Sequence, residues 1–134
     1  MNILVIEDNK DVGRILRILL AEWDHTSGRN VVARVVLVEN LAGAIEHLGE
    51  ADVIVCDGES PLNDASGAAE NWALVAYRAS ALGIPTVVYS GNPIVVHKAL
   101  ACGLVAFGKP APIQELYLAL MAAVDQRAHA PVAA

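Results

Sequence analysis

Apolar residues occur along the chain in two alternating textures. Five short runs are almost continuously apolar: residues 2–6 (NILVI), 31–38 (VVARVVLV), 53–56 (VIVC), 86–89 (TVVY) and 104–107 (LVAF). β-Branched side chains dominate most of them. The lack of polar alternation predicts strands buried on both faces, as in a parallel sheet. Between these runs the spacing turns helical. Residues 9–23 carry Val12, Ile15, Leu16, Leu19, Leu20 and Trp23 on one predicted stripe. Residues 41–48 place Ala44, Ile45 and Leu48 together, and residues 68–82 are alanine-rich. Residues 93–102 follow Asn92, a residue type that caps free amides, and open on Pro93, which suits the first helical position. Residues 113–127 follow Pro110 and Pro112. Residues 28–30 and 63–67 read as surface loops. The pattern is (βα)5 in one α/β domain over residues 1–128, with a short flexible tail at 129–134. Alternation of this kind requires a parallel sheet, right-handed crossovers and helices on both faces.

Composition narrows the function classes. The 134 residues fit one domain, and 55% hydrophobic content supplies a packed core. Aromatics are only 4%, so that core is aliphatic. A net charge of −6 argues against a nucleic-acid partner, which needs a basic stripe. Cys56 and Cys102 stand outside any C-x-x-C motif and read as small buried hydrophobes, with no structural zinc. The four histidines show no metal spacing, and Trp23 and Trp72 read as packing groups. The opening MNILVIEDN is too short and too acidic for a signal peptide. No apolar run approaches the roughly 18 residues of a membrane span. A cytoplasmic protein without membrane contact is expected.

The polar residues at the strand ends carry the chemistry. In a parallel sheet all carboxyl ends share one edge, where ligands bind as the strand order reverses. Glu7-Asp8 follow the first strand, Asp57 the third, Ser90-Gly91 the fourth and Gly108-Lys109-Pro110 the fifth. Glu39-Asn40, after the second, can be left at the side. Each has an ordinary explanation on its own. Asp-Gly makes turns, acids favour helix N-termini, and a lysine is usually solvated. Together on one edge they form a site. Three crowded carboxylates call for a cation, and hard oxygen donors in an open, hydrated setting suit Mg²⁺. A carboxylate nucleophile forms an acyl phosphate. Phosphoryl transfer then needs positioning and charge neutralisation, which the metal, Lys109 and the Ser90 hydroxyl would supply.

These pieces, ILVIEDN, VIVCDGESP, VVYSG and GKP in this order, resemble the receiver domain of two-component response regulators over nearly the whole chain. The resemblance implies the flavodoxin-like doubly wound fold with sheet order 2-1-3-4-5. It implies Asp57 as phosphoacceptor, Asp8 as a direct Mg²⁺ ligand and Glu7 acting through water or nearby. The Glu59 backbone carbonyl would complete the metal site. Ser90 matches the hydroxyl switch position and Lys109 the lysine. The phosphoryl group would come from a histidine kinase or histidine phosphotransfer protein. A stand-alone receiver would signal through a downstream protein effector, through the fourth helix, fifth strand and fifth helix, or pass the group on in a phosphorelay. It would be no enzyme beyond self-phosphorylation and autodephosphorylation at Asp57.

Some positions depart from that pattern. Ser60 stands where the family commonly has an apolar residue, and Ala65 where it often has glycine, with Gly67 two residues late. Ser90 and Lys109 are only 19 residues apart, which predicts a trimmed fourth helix. The usual switch aromatic lies three residues before the lysine, where this chain has Ala106; Phe107 is one residue later. Either Phe107 takes the role or aromatic switching is absent. Recruiting Ser90 and Lys109 to a phosphoryl group would supply about 3–6 kcal/mol at 1.5–3 kcal/mol per charged hydrogen bond. A full two-state swing needs about 5.5 kcal/mol. Two rival readings remain: a pseudo-receiver that binds proteins without cycling phosphate, and an aspartyl-phosphate phosphatase. The phosphatase reading expects D-x-D after the first strand, whereas Asp57-Gly58-Glu59 follows the third.

Overall fold

In the computed structural model, which describes residues 1–129, β1 (Asn2–Ile6) leads into α1 (Lys10–Thr26). Next come β2 (Arg34–Val38), α2 (Leu41–His47), β3 (Val53–Asp57) and α3 (Trp72–Ala81). The chain continues through β4 (Thr86–Ser90), α4 (Pro93–Ala101), β5 (Val105–Gly108) and α5 (Ile113–His129). The five strands are all parallel, in the order β2-β1-β3-β4-β5. This is the doubly wound arrangement expected from the alternation of strand and helix. Residues 130–134, most of the predicted tail, lie outside the described residues. α5 includes His129, which the sequence reading had assigned to that tail.

Alternate residues of each strand feed two cores, as the period of a strand dictates. One face gathers Leu4, Ile6, Ile54, Cys56 and Val88 under α2, α3 and α4, through residues such as Ala44, Val75 and Val95. The other gathers Ile3, Val5, Val53, Val55, Val87 and Tyr89 under α1 and α5, through Leu16, Leu20, Leu116 and Tyr117. β1 and β3 are apolar without alternation because both faces are covered.

The structure corrects the sequence reading at several points. The buried face of α1 runs through Gly13, Leu16, Leu20 and Asp24, while Ile15 is 56% exposed and Leu19 38%. Asp24 ends that buried face, and its carboxylate accepts the Tyr117 hydroxyl (2.7 Å) and the amides of Val31 (3.1 Å) and Val32 (3.0 Å). Those bonds hold Val31 and Val32 off the sheet, the Ala33 amide donates to the Met1 carbonyl at 2.8 Å, and β2 starts at Arg34. Helix α3 starts at Trp72, because Ala68–Ala69 instead forms a two-residue antiparallel ladder with Ser60–Pro61. α2 ends at His47, followed by a 3-10 turn at Leu48–Glu50. Cys56 is buried as expected, but Cys102 is exposed at the end of α4. As anticipated, α4 is short, at nine residues.

Candidate functional site

The carboxyl ends of β1, β3, β4 and β5 bring the predicted side chains to one edge. Glu7 and Asp8 follow β1, Asp57 ends β3, Ser90 ends β4, and Lys109 follows β5. The strands fix these positions by register: Asp57 pairs with Tyr89, and Ser90 with Gly108. Carboxylate oxygens of Glu7, Asp8 and Asp57 lie within 4.8 Å of one another. Glu7 is buried and Asp57 nearly so, whereas Asp8 is exposed.

Lys109 is the counter-charge. Its ammonium donates to Glu7 Oε2 and, at 3.2 Å, to Asp57 Oδ1. Its backbone amide donates to the Ser90 carbonyl at 2.9 Å, which fixes the turn leaving β5. Burial pushes the Glu7 and Asp57 carboxyl groups above their ordinary range, and Lys109 only partly offsets this. Burial works against the charged Lys109, but its bond to Glu7 and the Asp57 charge prevail and hold its value up.

The loop after β3 presses closely on β4. A Cβ added to Gly58 would lie 2.6 Å from Val95 Cγ1 and 2.7 Å from Ser90 Cβ, and closer still to Ser90 Oγ. Only glycine lets the backbone pass there. The Ser90 hydroxyl accepts the Asn92 amide at 3.1 Å. The Asn92 side chain caps α4 through the Ile94 amide (3.0 Å) and donates to the Glu59 carboxylate (2.7 Å). Asp57, Glu59, Ser90, Gly91, Asn92 and Pro93 line one open cleft. Glu59 is exposed and its carboxylate faces Asn92, apart from the three clustered acids. The sequence reading missed Gly58 and Asn92 as parts of this edge; the signal was a glycine directly after Asp57 and an asparagine two residues after Ser90.

Register places the two residues before Gly108 on opposite faces. Ala106 pairs with Val88 and packs on the α2/α3/α4 side, while Phe107 pairs with Tyr89 and packs on the α1/α5 side. Phe107 therefore faces away from α4, and Ala106 holds the position three residues before Lys109 on the α4 side.

Three carboxylates of hard oxygen, partly open to water, form a donor set that fits a hydrated divalent cation such as Mg²⁺. The arrangement also offers a strand-tip carboxylate with an ammonium and a hydroxyl on the same edge. The fold is that of CheY-like response regulator receiver domains. The receiver domain of the Francisella response regulator 1452 superposes with a TM-score of 0.69 at 19% identity, covering 93% of this chain and 97% of that one. A receiver domain from Clostridium thermocellum gives 0.71 at 19% identity, covering 96% and 97%. One from Methylobacillus flagellatus gives 0.64 at 23%, covering 92% and 98%. No protein-family model and no curated protein matches the sequence. No helix among the described residues is long and apolar enough to cross a membrane.

Proposed function

We propose that this chain is a response regulator receiver that takes a phosphoryl group on Asp57. The observation that carries the reading is Lys109 bridging Asp57 and Glu7 where three carboxylates converge. An Asp57 oxygen attacks phosphorus as the donor's P–N bond to histidine breaks. The leaving imidazole nitrogen keeps the bonding pair and is then protonated, so a histidine kinase or phosphotransfer protein serves as donor. Glu7, Asp8 and Asp57 would hold Mg²⁺, with the Glu59 carbonyl completing the set, and the ion would neutralise phosphoryl oxygens. Lys109 and Ser90 would bond the same oxygens. The chain is then a signalling phosphoacceptor rather than an enzyme with turnover on a separate substrate. Exposed Ile94 and Leu100 on α4, together with Val105 on the edge strand β5, support an effector surface on the α4–β5–α5 side.

The test is incubation with Mg²⁺ and acetyl phosphate, followed by intact mass. Here the P–O bond to acetate breaks, and acetate leaves as the acyl phosphate forms on Asp57. A phosphoryl adduct that disappears in Asp57→Asn supports the proposal. No adduct, from acetyl phosphate or from a phosphohistidine donor, favours a pseudo-receiver that binds proteins without cycling phosphate. Turnover of small phosphate esters would instead favour the phosphatase reading.

A further inference from the structure

Tyr89, the residue just before Ser90, is from sequence either a core packing aromatic or a participant in switching. Its surroundings give it two specific contacts. Its ring lies under the Lys109 ammonium, with Nζ 5.4 Å from the ring centroid. Its hydroxyl accepts the backbone amide of Ala111 at 3.2 Å. Ala111 is two residues past Lys109, and the Lys109 amide is itself bonded to the Ser90 carbonyl. The segment carrying the lysine is thus fastened to the end of β4 twice, once by backbone and once by the Tyr89 hydroxyl. The ring adds a floor that favours a cation above it and limits where the ammonium can go.

We propose that Tyr89 is a positioning residue for Lys109, holding its ammonium against Asp57 and Glu7 and tying the site to the loop that enters α5. Tyr89 is buried, 8% exposed, and packs in the core beneath α1 and α5. Its neighbour across β5 is Phe107. The aromatic pair therefore lies on the face opposite α4, where Ala106 offers only a methyl group. A change in what Lys109 binds is felt first at Tyr89 and Ala111, on the α5 side. In its consequence for phosphoryl transfer, the inference rests on the reading of Asp57 as acceptor.

Two variants separate the contacts: Tyr89→Phe keeps the ring and loses the hydroxyl, and Tyr89→Leu loses both. With saturating Mg²⁺ and acetyl phosphate, Tyr89→Leu is expected to slow Asp57 labelling about 10-fold, and Tyr89→Phe about 3-fold, as displacement of a positioned group does. The donor concentration giving half-maximal rate should stay unchanged, which a general loosening of the pocket would not preserve. Nuclear magnetic resonance supplies a readout independent of phosphorylation. The Lys109 ε-methylene protons should show a ring-current shift that Tyr89→Phe retains and Tyr89→Leu abolishes. The Ala111 amide should move and exchange faster in Tyr89→Phe. Wild-type labelling rates in a folded Tyr89→Leu protein would overturn the proposal. So would Lys109 resonances in the wild type that show no ring-current shift, or an Ala111 amide unmoved in Tyr89→Phe. If Tyr89→Leu does not fold, the wild-type and Tyr89→Phe spectra decide. If the wild-type protein takes no phosphoryl group at all, the acceptor reading fails, while the spectra still test the positioning.

Discussion

Replacing Lys109 by methionine keeps the length of the stem and removes the charge. In the wild-type fold its ammonium is bonded to Glu7 and lies 3.2 Å from Asp57, and three carboxylates cluster within 4.8 Å. At an effective dielectric constant of 20, one pair at that separation is worth about 5 kcal/mol before desolvation. Stranding a buried charge by removing its partner costs about 3–5 kcal/mol. Two features reduce the loss here: the Lys109 side chain is 22% exposed, and a carboxyl group can take up a proton. A destabilisation of about 2 kcal/mol at about pH 7.5 is therefore expected from urea unfolding. The sign of its pH dependence is fixed. Burial already raises the Glu7 and Asp57 carboxyl groups, and loss of the lysine raises them further. An acid held above its unfolded value weakens the fold when ionised, and that penalty fades as pH falls through the folded value. The deficit of Lys109→Met should therefore shrink at about pH 5.5. It should also shrink in about 10 mM Mg²⁺, because the three acids left without their ammonium bind the ion more tightly than the wild-type site does, and mass action then stabilises the variant more. A deficit equal at both pH values and indifferent to Mg²⁺ would refute the argument and reduce Lys109 to a packing residue.

Gly58→Ala forces a methyl group to within 2.6 Å of Val95 Cγ1 and against Ser90. A loss of about 1–3 kcal/mol in thermal unfolding is expected, together with slower Asp57 labelling because Ser90 is displaced. Tyr117→Phe removes a 2.7 Å bond to the buried Asp24, a loss of about 1.5–3 kcal/mol by urea unfolding. Burial works to raise the Asp24 carboxyl, but the Tyr117 hydroxyl and the Val32 and Val31 amides prevail and hold it below its usual value. Its contribution is whole above the ordinary aspartate value near 3.9 and fades as pH falls through the lower folded value. Tyr117→Phe should therefore be less sensitive to acid in that window, as read by circular dichroism. Asn92→Ala removes the cap of α4, an expected loss of about 1 kcal/mol, with faster hydrogen exchange in the first turn of that helix.

The alternation of five strands and five helices was legible because the strands between two helix layers are almost continuously apolar, and because Asn92 and Pro93 mark the start of α4. Asn9 and Asn40 also cap α1 and α2, which the sequence reading did not use. The site was legible because a parallel sheet sends every carboxyl end to one edge. What escaped the sequence were contacts made across long separations. Nothing local marks Asp24 as buried, since its partner Tyr117 lies 93 residues away. Asp24 lies on the buried face of α1, whereas Ile15, which periodicity alone assigns to the core, is exposed. The start of α3 was misjudged because alanines suit a helix, while the antiparallel pairing with Ser60–Pro61 overrides that propensity. The place of Phe107 could not be read from spacing, because a one-residue shift in a strand reverses the face.

The imbalance at the sheet edge, three acids facing a single ammonium, has a bearing on timing. An approaching phosphoryl donor shares the sign of the surplus and is repelled by it. A divalent cation cancels that surplus and removes the repulsion. With Asp57 as the proposed acceptor, electrostatics would thus set a sequence of arrival, cation before donor, and the rate of encounter with an anionic donor would read out cation occupancy.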